Sequence, residues 1–234
     1  MKKLFYFFID GIGLGLEDRE TNLLLSLFSS VTGGLPFSGS SVPAEFPAGI
    51  LIPLDACMGV PGIPQSATVQ TSLFTGINAQ QVLGRHATAI PPEPLTVLLK
   101  EHSIMKRLSA AGLSVTNANL YSERFFRERE GGRRNRLPAS TLMTKASGAP
   151  FRLLPEYQEG KAVFADITNE YIRSRGVDVP VISPEDAGDR MLRILKDYDF
   201  VFFEYFMTDV YGHKRKLHKL ASETSKLNRF LHRV

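Results

Sequence analysis

Two unbroken apolar runs stand out along the chain. Leu4-Phe-Tyr-Phe-Phe-Ile9 runs into Asp10, and Tyr198-Asp-Phe-Val-Phe-Phe-Glu-Tyr-Phe-Met207 runs into Asp209. Short aromatic-rich runs without alternation predict buried strands, and the first reads as buried on both faces, as in a parallel sheet. Between them the period changes. Thr96 to Ala111 reads as one helix with Leu98, Leu99, Ile104, Met105 and Leu108 inward, stopped by Gly112 and followed by a strand over Ser114–Ala118. Ser183 as N-cap and Pro184 at the first helical position open another helix through Lys196.

Further helices are expected near 139–147 and 166–175. Leu217, Leu220, Ala221, Leu227, Phe230 and Leu231 keep helical spacing to the end of the sequence. The Gly/Ser/Pro-rich stretch 32–48 reads as a loop, with a short strand near 49–53. Helix-then-strand alternation predicts an α/β fold with a doubly wound sheet. The expected organisation is a core part over 1–120, an inserted cap-like segment over 121–181, and a second core part over 182–234.

Composition changes this picture little. At 234 residues and 43% hydrophobic content, the chain can bury a full core, and no apolar stretch approaches membrane-spanning length. The apolar part after Met1-Lys-Lys is too short for a secretory signal, and Asp10 stands where a small-residue cleavage site would be. Cys57 is the only cysteine, which excludes an intramolecular disulfide and fits a reducing cytoplasm. Its apolar context reads as a packed thiol. The net charge of +4 gathers in Arg124-Phe-Phe-Arg-Glu-Arg-Glu-Gly-Gly-Arg-Arg-Asn-Arg136. That segment reads as a solvated, internally paired stretch, as a lid hinged at Gly131-Gly132, or as a nucleic-acid contact.

Three places carry candidate chemistry. Asp209-Val-Tyr-Gly-His213 offers a carboxylate and an imidazole to one divalent ion from a single turn. Asp10 sits where the first strand ends, and sites in open α/β sheets collect at such ends. Its glycines spell GxGxG without a following helix, which argues against a dinucleotide fingerprint. The third place is Gly59-Val-Pro-Gly-Ile-Pro-Gln-Ser66, where Pro and Gly forbid regular structure up to a short helix running from Ser66 to Gly76. Ser66 therefore lies at a helix N-terminus, which favours a tetrahedral anion. Gly84-Arg85-His86 follows that helix closely enough to return over it, with Arg85 able to grip a phosphate and His86 able to donate to it.

Together these segments resemble the alkaline phosphatase superfamily, and within it the cofactor-independent phosphoglycerate mutases and related metalloenzymes. Asp10 matches the metal-binding Asp after the first strand. Ser66 matches the nucleophile, ten residues before the Gly of Thr75-Gly76, and Asp209 with His213 matches the Asp-x-x-Gly-His metal pair. Gln65 stands where the mutases have Asn, and the x-Pro-x-Arg of sulfatases is absent. The resemblance implies an alkaline-phosphatase-like sheet with helices on both faces, two divalent ions (Mn²⁺ or Zn²⁺) and phosphoryl transfer through a phosphoserine.

In that scheme Asp10 and Ser66 share one ion, Asp209 and His213 hold the other, and Arg85 and His86 contact a small phosphorylated substrate. Hydrolase and phosphomutase both remain open. The family's Asp-His-Gly strand and a further His have no counterpart after His213, so a longer protein is expected. The alternative is a catalytically incomplete member of the fold that binds a partner through Arg124–Arg136.

Overall fold

The computed structural model describes residues 3–129 and 136–234. The chain is a mixed α/β protein. Strands β1 (Leu4–Ile9), β2 (Ala44–Phe46), β3 (Gly49–Leu51), β4 (Val115–Asn117) and β5 (Phe200–Tyr205) form two sheets. One has the order β1-β5-β4 and the other pairs β2 with β3. β4 runs parallel to β5 with Val115 opposite Phe200. β1 also runs with β5: Leu4 N–H donates to the Asp199 carbonyl at 2.9 Å and Asp10 N–H to the Tyr205 carbonyl at 2.8 Å. β2 and β3 form an antiparallel hairpin with Ala44 opposite Leu51.

The central strand explains the long apolar run. All of β5 is buried except the half-buried Glu204, and its backbone is paired on both edges. β1 departs from the expectation of burial on both faces. It pairs on one edge only, and Leu4 is exposed while Phe5 to Ile9 are half-buried.

The chain falls into two compact units. One comprises the chain up to Tyr6, Asp55–Ala162 and Ile194–Phe203. Its core is built from Phe74, Leu95, Leu99, Met105, Met143, Phe200 and Phe202. Tyr6 meets Phe74, Phe200 and Phe202 edge-on with centroids 6.0, 6.3 and 5.7 Å away, a geometry worth about 1 kcal/mol per pair beyond simple burial. The expected single helix over 96–111 is two, Glu93–His102 and Ile104–Ala110. Ser103 between them is extended and fully buried, so the second helix starts in a new direction. Of the positions expected inward, Leu99 and Met105 are buried, whereas Leu98, Ile104 and Leu108 are only half-buried; Leu95, ahead of the expected start, is buried too. The helix Ala139–Ser147 matches its prediction and ends at Gly148 with φ 76°.

Buried Arg152 fastens the segment after that helix to β4. Its guanidinium donates to the Asn117 carbonyl at 3.2 Å, the Lys161 carbonyl at 2.5 Å and the Thr116 hydroxyl at 3.0 Å. A charge this buried is tolerated only when its donors are satisfied.

The second unit comprises Phe7–Leu54, Val163–Arg193 and Glu204–Val234. The segment 121–181 is thus divided between the two units. Leu27, Phe37, Ile172, Met191, Tyr205, Leu227 and Phe230 are buried here. Ser183 caps the helix Pro184–Asp197 as read: its hydroxyl accepts from Asp186 N–H at 3.0 Å while Asp186 Oδ2 accepts from Ser183 N–H at 3.2 Å. The helix Leu217–Arg233 presents Phe230 to Phe7 at 5.5 Å, and Arg229 and Arg233 pair outward with Glu185 and Asp189. The helix expected over 166–175 is shorter, Glu170–Ser174. Ile167 and Asn169 take positive φ of 66° and 68° ahead of it, which a helix cannot accommodate.

Candidate functional site

In the second unit, the ends of β1 and β5 lie side by side because the strands are paired. Asp10 leaves β1 half-buried, and its N–H remains on the ladder to Tyr205. Asp209 follows β5 inside the first turn of a helix, Met207–His213. The Asp–His pair therefore comes from a helical i,i+4 spacing, where a tight turn is expected from the sequence. Asp209 Oδ1 and His213 Nε2 are 3.2 Å apart.

The two segments are pressed together. Gly11 has φ 71°, and a Cβ placed on it would lie 2.3 Å from Asp209 Cα. The Thr208 hydroxyl donates to the Asp10 carbonyl. The Asp10 and Asp209 backbones thus meet at the carboxyl ends of neighbouring strands, while the Asp10 carboxylate accepts from Gly11 N–H at 3.0 Å and the His213 side chain is exposed. Thr208 and Gly11 are the residues that hold the two backbones there, and the sequence singles out neither in that role.

The donor set fits a divalent ion in part. Two metal–ligand bonds of about 2.1 Å, set between a right angle and a tetrahedral angle, separate their donor atoms by about 3.0–3.4 Å. The 3.2 Å between Asp209 and His213 falls in that interval. Among the described residues, no group of three His, Cys, Asp or Glu side chains is arranged to hold a metal.

Beneath the strand end lies a buried ionisable cluster that the sequence reading missed. Tyr205 OH donates to Glu223 Oε2, and Lys226 Nζ pairs with Glu223 Oε1 at 3.1 Å and with Glu170 at 2.7 Å. Burial first, and the neighbouring Glu223 next, push the Tyr205 phenol well above its ordinary range. Burial pulls Lys226 down, but its bonds to Glu170 and Glu223 outweigh this and leave it above the usual lysine value.

Asp166 is 3% exposed, and burial pushes its carboxyl up to about 6. Backbone N–H groups of Tyr171 at 2.5 Å and Asn169 at 2.7 Å, together with the Lys226 charge, oppose that rise. Spacing gives no signal for this cluster, since its members come from three separate stretches of chain.

Ser66, Arg85 and His86 belong to the first unit. Ser66 is the first residue of the helix Ser66–Thr75, and Gln65 occupies the cap position with no side-chain cap bond. The helix ends as predicted at Gly76, φ 75°. Ser66 is half-buried. The loop after the next short helix does return to this point: Ala67 N–H donates to the Ala87 carbonyl at 3.1 Å.

His86 is held by an Nε2 contact to the Val60 carbonyl at 3.0 Å, and its Nδ1 is buried without a hydrogen-bond partner. With Nε2–H donating to Val60, the neutral ring has only an acceptor, Nδ1, left over. Arg85 is exposed. Cys57 is half-buried beside the Gly62 carbonyl at 3.6 Å, as expected of a packed thiol.

The lid hinge proposed at Gly131-Gly132, with Glu130 to Asn135 around it, lies outside the described residues. On the described side, Arg124 pairs with Glu128 at 2.6 Å and Arg129 stacks over Phe125 at 3.9 Å. Among the described residues, no helix is long and apolar enough to cross a membrane. Compared with models of protein families, with curated proteins and with solved structures, the chain matches none.

Proposed function

We propose that the chain is a metal-dependent phosphoryl-transfer enzyme of the alkaline phosphatase type, built on that superfamily's doubly wound sheet. Its relatives in chemistry would be the cofactor-independent phosphoglycerate mutases. The observation that supports this reading is the Asp209–His213 pair, 3.2 Å apart, with the Asp10–Gly11 segment pressed against Asp209 at adjacent parallel strand ends, where α/β sheets hold their ligands.

Asp209 and His213 would supply a carboxylate oxygen and an imidazole nitrogen to a divalent ion, and Asp10 a further carboxylate. Mn²⁺ and Zn²⁺ both suit that mixture. Such an ion lowers the pKa of a bound hydroxyl and offsets charge on transferring phosphate oxygens. On the family resemblance, Ser66 would be the nucleophile: its Oγ would form the new P–O bond as the ester P–O bond breaks, and the serine proton would pass to the leaving alcohol. The helix amides behind Ser66 favour the added negative charge. Exposed Arg85 would grip the phosphate from the returning loop, and His86, held to the Val60 carbonyl, would position that loop. Water then yields a hydrolase, and a hydroxyl of the same substrate yields a mutase.

The test is turnover of a panel of phosphate monoesters with Mn²⁺ or Zn²⁺ supplied. Ser66→Ala is expected to reduce turnover by at least about a thousandfold, the usual scale for loss of a covalent nucleophile. Full activity in Ser66→Ala would remove the phosphoserine.

A further inference from the structure

The first unit carries a cleft of about 550 Å³ that none of Ser66, Arg85 or His86 lines. Its lining includes Glu93, Thr96 and Lys100 from one helix, Leu142 and Lys145 from another, and Arg136, and its four charged side chains are exposed. The periodicity explains the grouping. Positions 93, 96 and 100 share one face of the helix Glu93–His102, and 142 and 145 share one face of the helix Ala139–Ser147.

Three cations therefore converge with one carboxylate. Among the described residues, Lys100, Arg136 and Lys145 make no ion pair, whereas Arg124 and Lys161 of the same unit pair with Glu128 and Glu159. Like charges held around one concavity raise a positive potential inside it and concentrate anions there. The volume is that of a small-molecule site. Leu137 and Leu142 give part of the lining an apolar character.

We propose that this cleft binds a small organic phosphate carrying at least two negative charges. Lys100 and Lys145 act as point charges on the phosphate oxygens, Arg136 offers its planar fork to one phosphate, and the leucines contact the organic part. This site is independent of the phosphoryl-transfer reading, since no residue assigned to that chemistry lines it.

Calorimetric titration of the full chain with ATP, at low and at physiological ionic strength, tests the assignment. The expected result is saturable one-to-one binding that weakens with salt. The exposed pair Lys100→Ala and Lys145→Ala should weaken it at least about tenfold, the scale of losing charge-assisted hydrogen bonds. Glu93→Gln, by removing the one opposing charge, should tighten it a few-fold, which damage to the fold would not do. Absence of saturable binding, or unchanged affinity in the double lysine variant, would overturn the proposal. So would a mixed-sequence oligonucleotide that displaces ATP at equal phosphate concentration, since the cationic wall would then belong to a nucleic-acid surface.

Discussion

Gly11 and Asp209 are so close that a single carbon added to Gly11 would lie 2.3 Å from Asp209 Cα and 2.5 Å from Asp209 N. Both atoms belong to backbone, so no rotamer change relieves the overlap. Gly11 also sits at φ 71°, where an L side chain is strained in any case. Gly11→Ala is therefore expected to destabilise the fold by about 2–4 kcal/mol and to displace the Asp209 turn. Urea midpoints measure the first effect. Gly13→Ala, with nothing within 4 Å, is the control and should stay within about 1 kcal/mol.

Asp166 makes stability depend on pH in a fixed direction. Its folded value of about 6 lies above the ordinary 3.8. The folded state therefore binds the proton more tightly than the unfolded chain does. Its contribution is fully present below about pH 4 and is lost as pH rises toward 6. A shift of that size corresponds to roughly 3 kcal/mol. The facing groups are Lys226, Glu170, Glu223, Tyr205 and Tyr211, all members of the same buried cluster or its margin. Asp166→Asn should flatten this part of the stability profile between pH 4 and 6.5. An unchanged difference between variant and wild type across that interval would show that Asp166 does not titrate there.

Tyr205 and Arg229 provide a contrast between buried and exposed polar contacts. Tyr205→Phe leaves the buried Glu223 without its hydroxyl donor, at a cost of about 1–3 kcal/mol. Arg229→Ala breaks a pair whose side chains are 54% and 43% exposed and should cost under about 1 kcal/mol. Urea unfolding of both variants gives the ordering directly.

Much of this arrangement was legible in the residues. The aromatic runs located β1 and β5, the Ser183-Pro184 signature located a helix start, and Gly76 located a helix end, because each has a local physical cause. The failures share another cause. Ser103 divides a helix that periodicity alone would continue, taking extended backbone and full burial between the two pieces. β1 is less buried than its composition suggests, because what covers the faces of a strand is a property of the fold and not of the strand. Asp209 and His213 lie 3.2 Å apart, but on a helix where the sequence reads a tight turn. Thr208, Asp166 and Glu223 gave no signal, since their importance comes from neighbours distant along the chain.

Metal affinity tests the central claim most directly. Calorimetric titration of the chain with Mn²⁺ and with Zn²⁺ is expected to show saturable binding. Asp209→Asn and His213→Ala should each weaken it by at least about tenfold, since each removes a direct ligand. Asp10→Asn should weaken it as well. Metal affinity unchanged in all three variants would contradict a metal centre at the paired ends of β1 and β5.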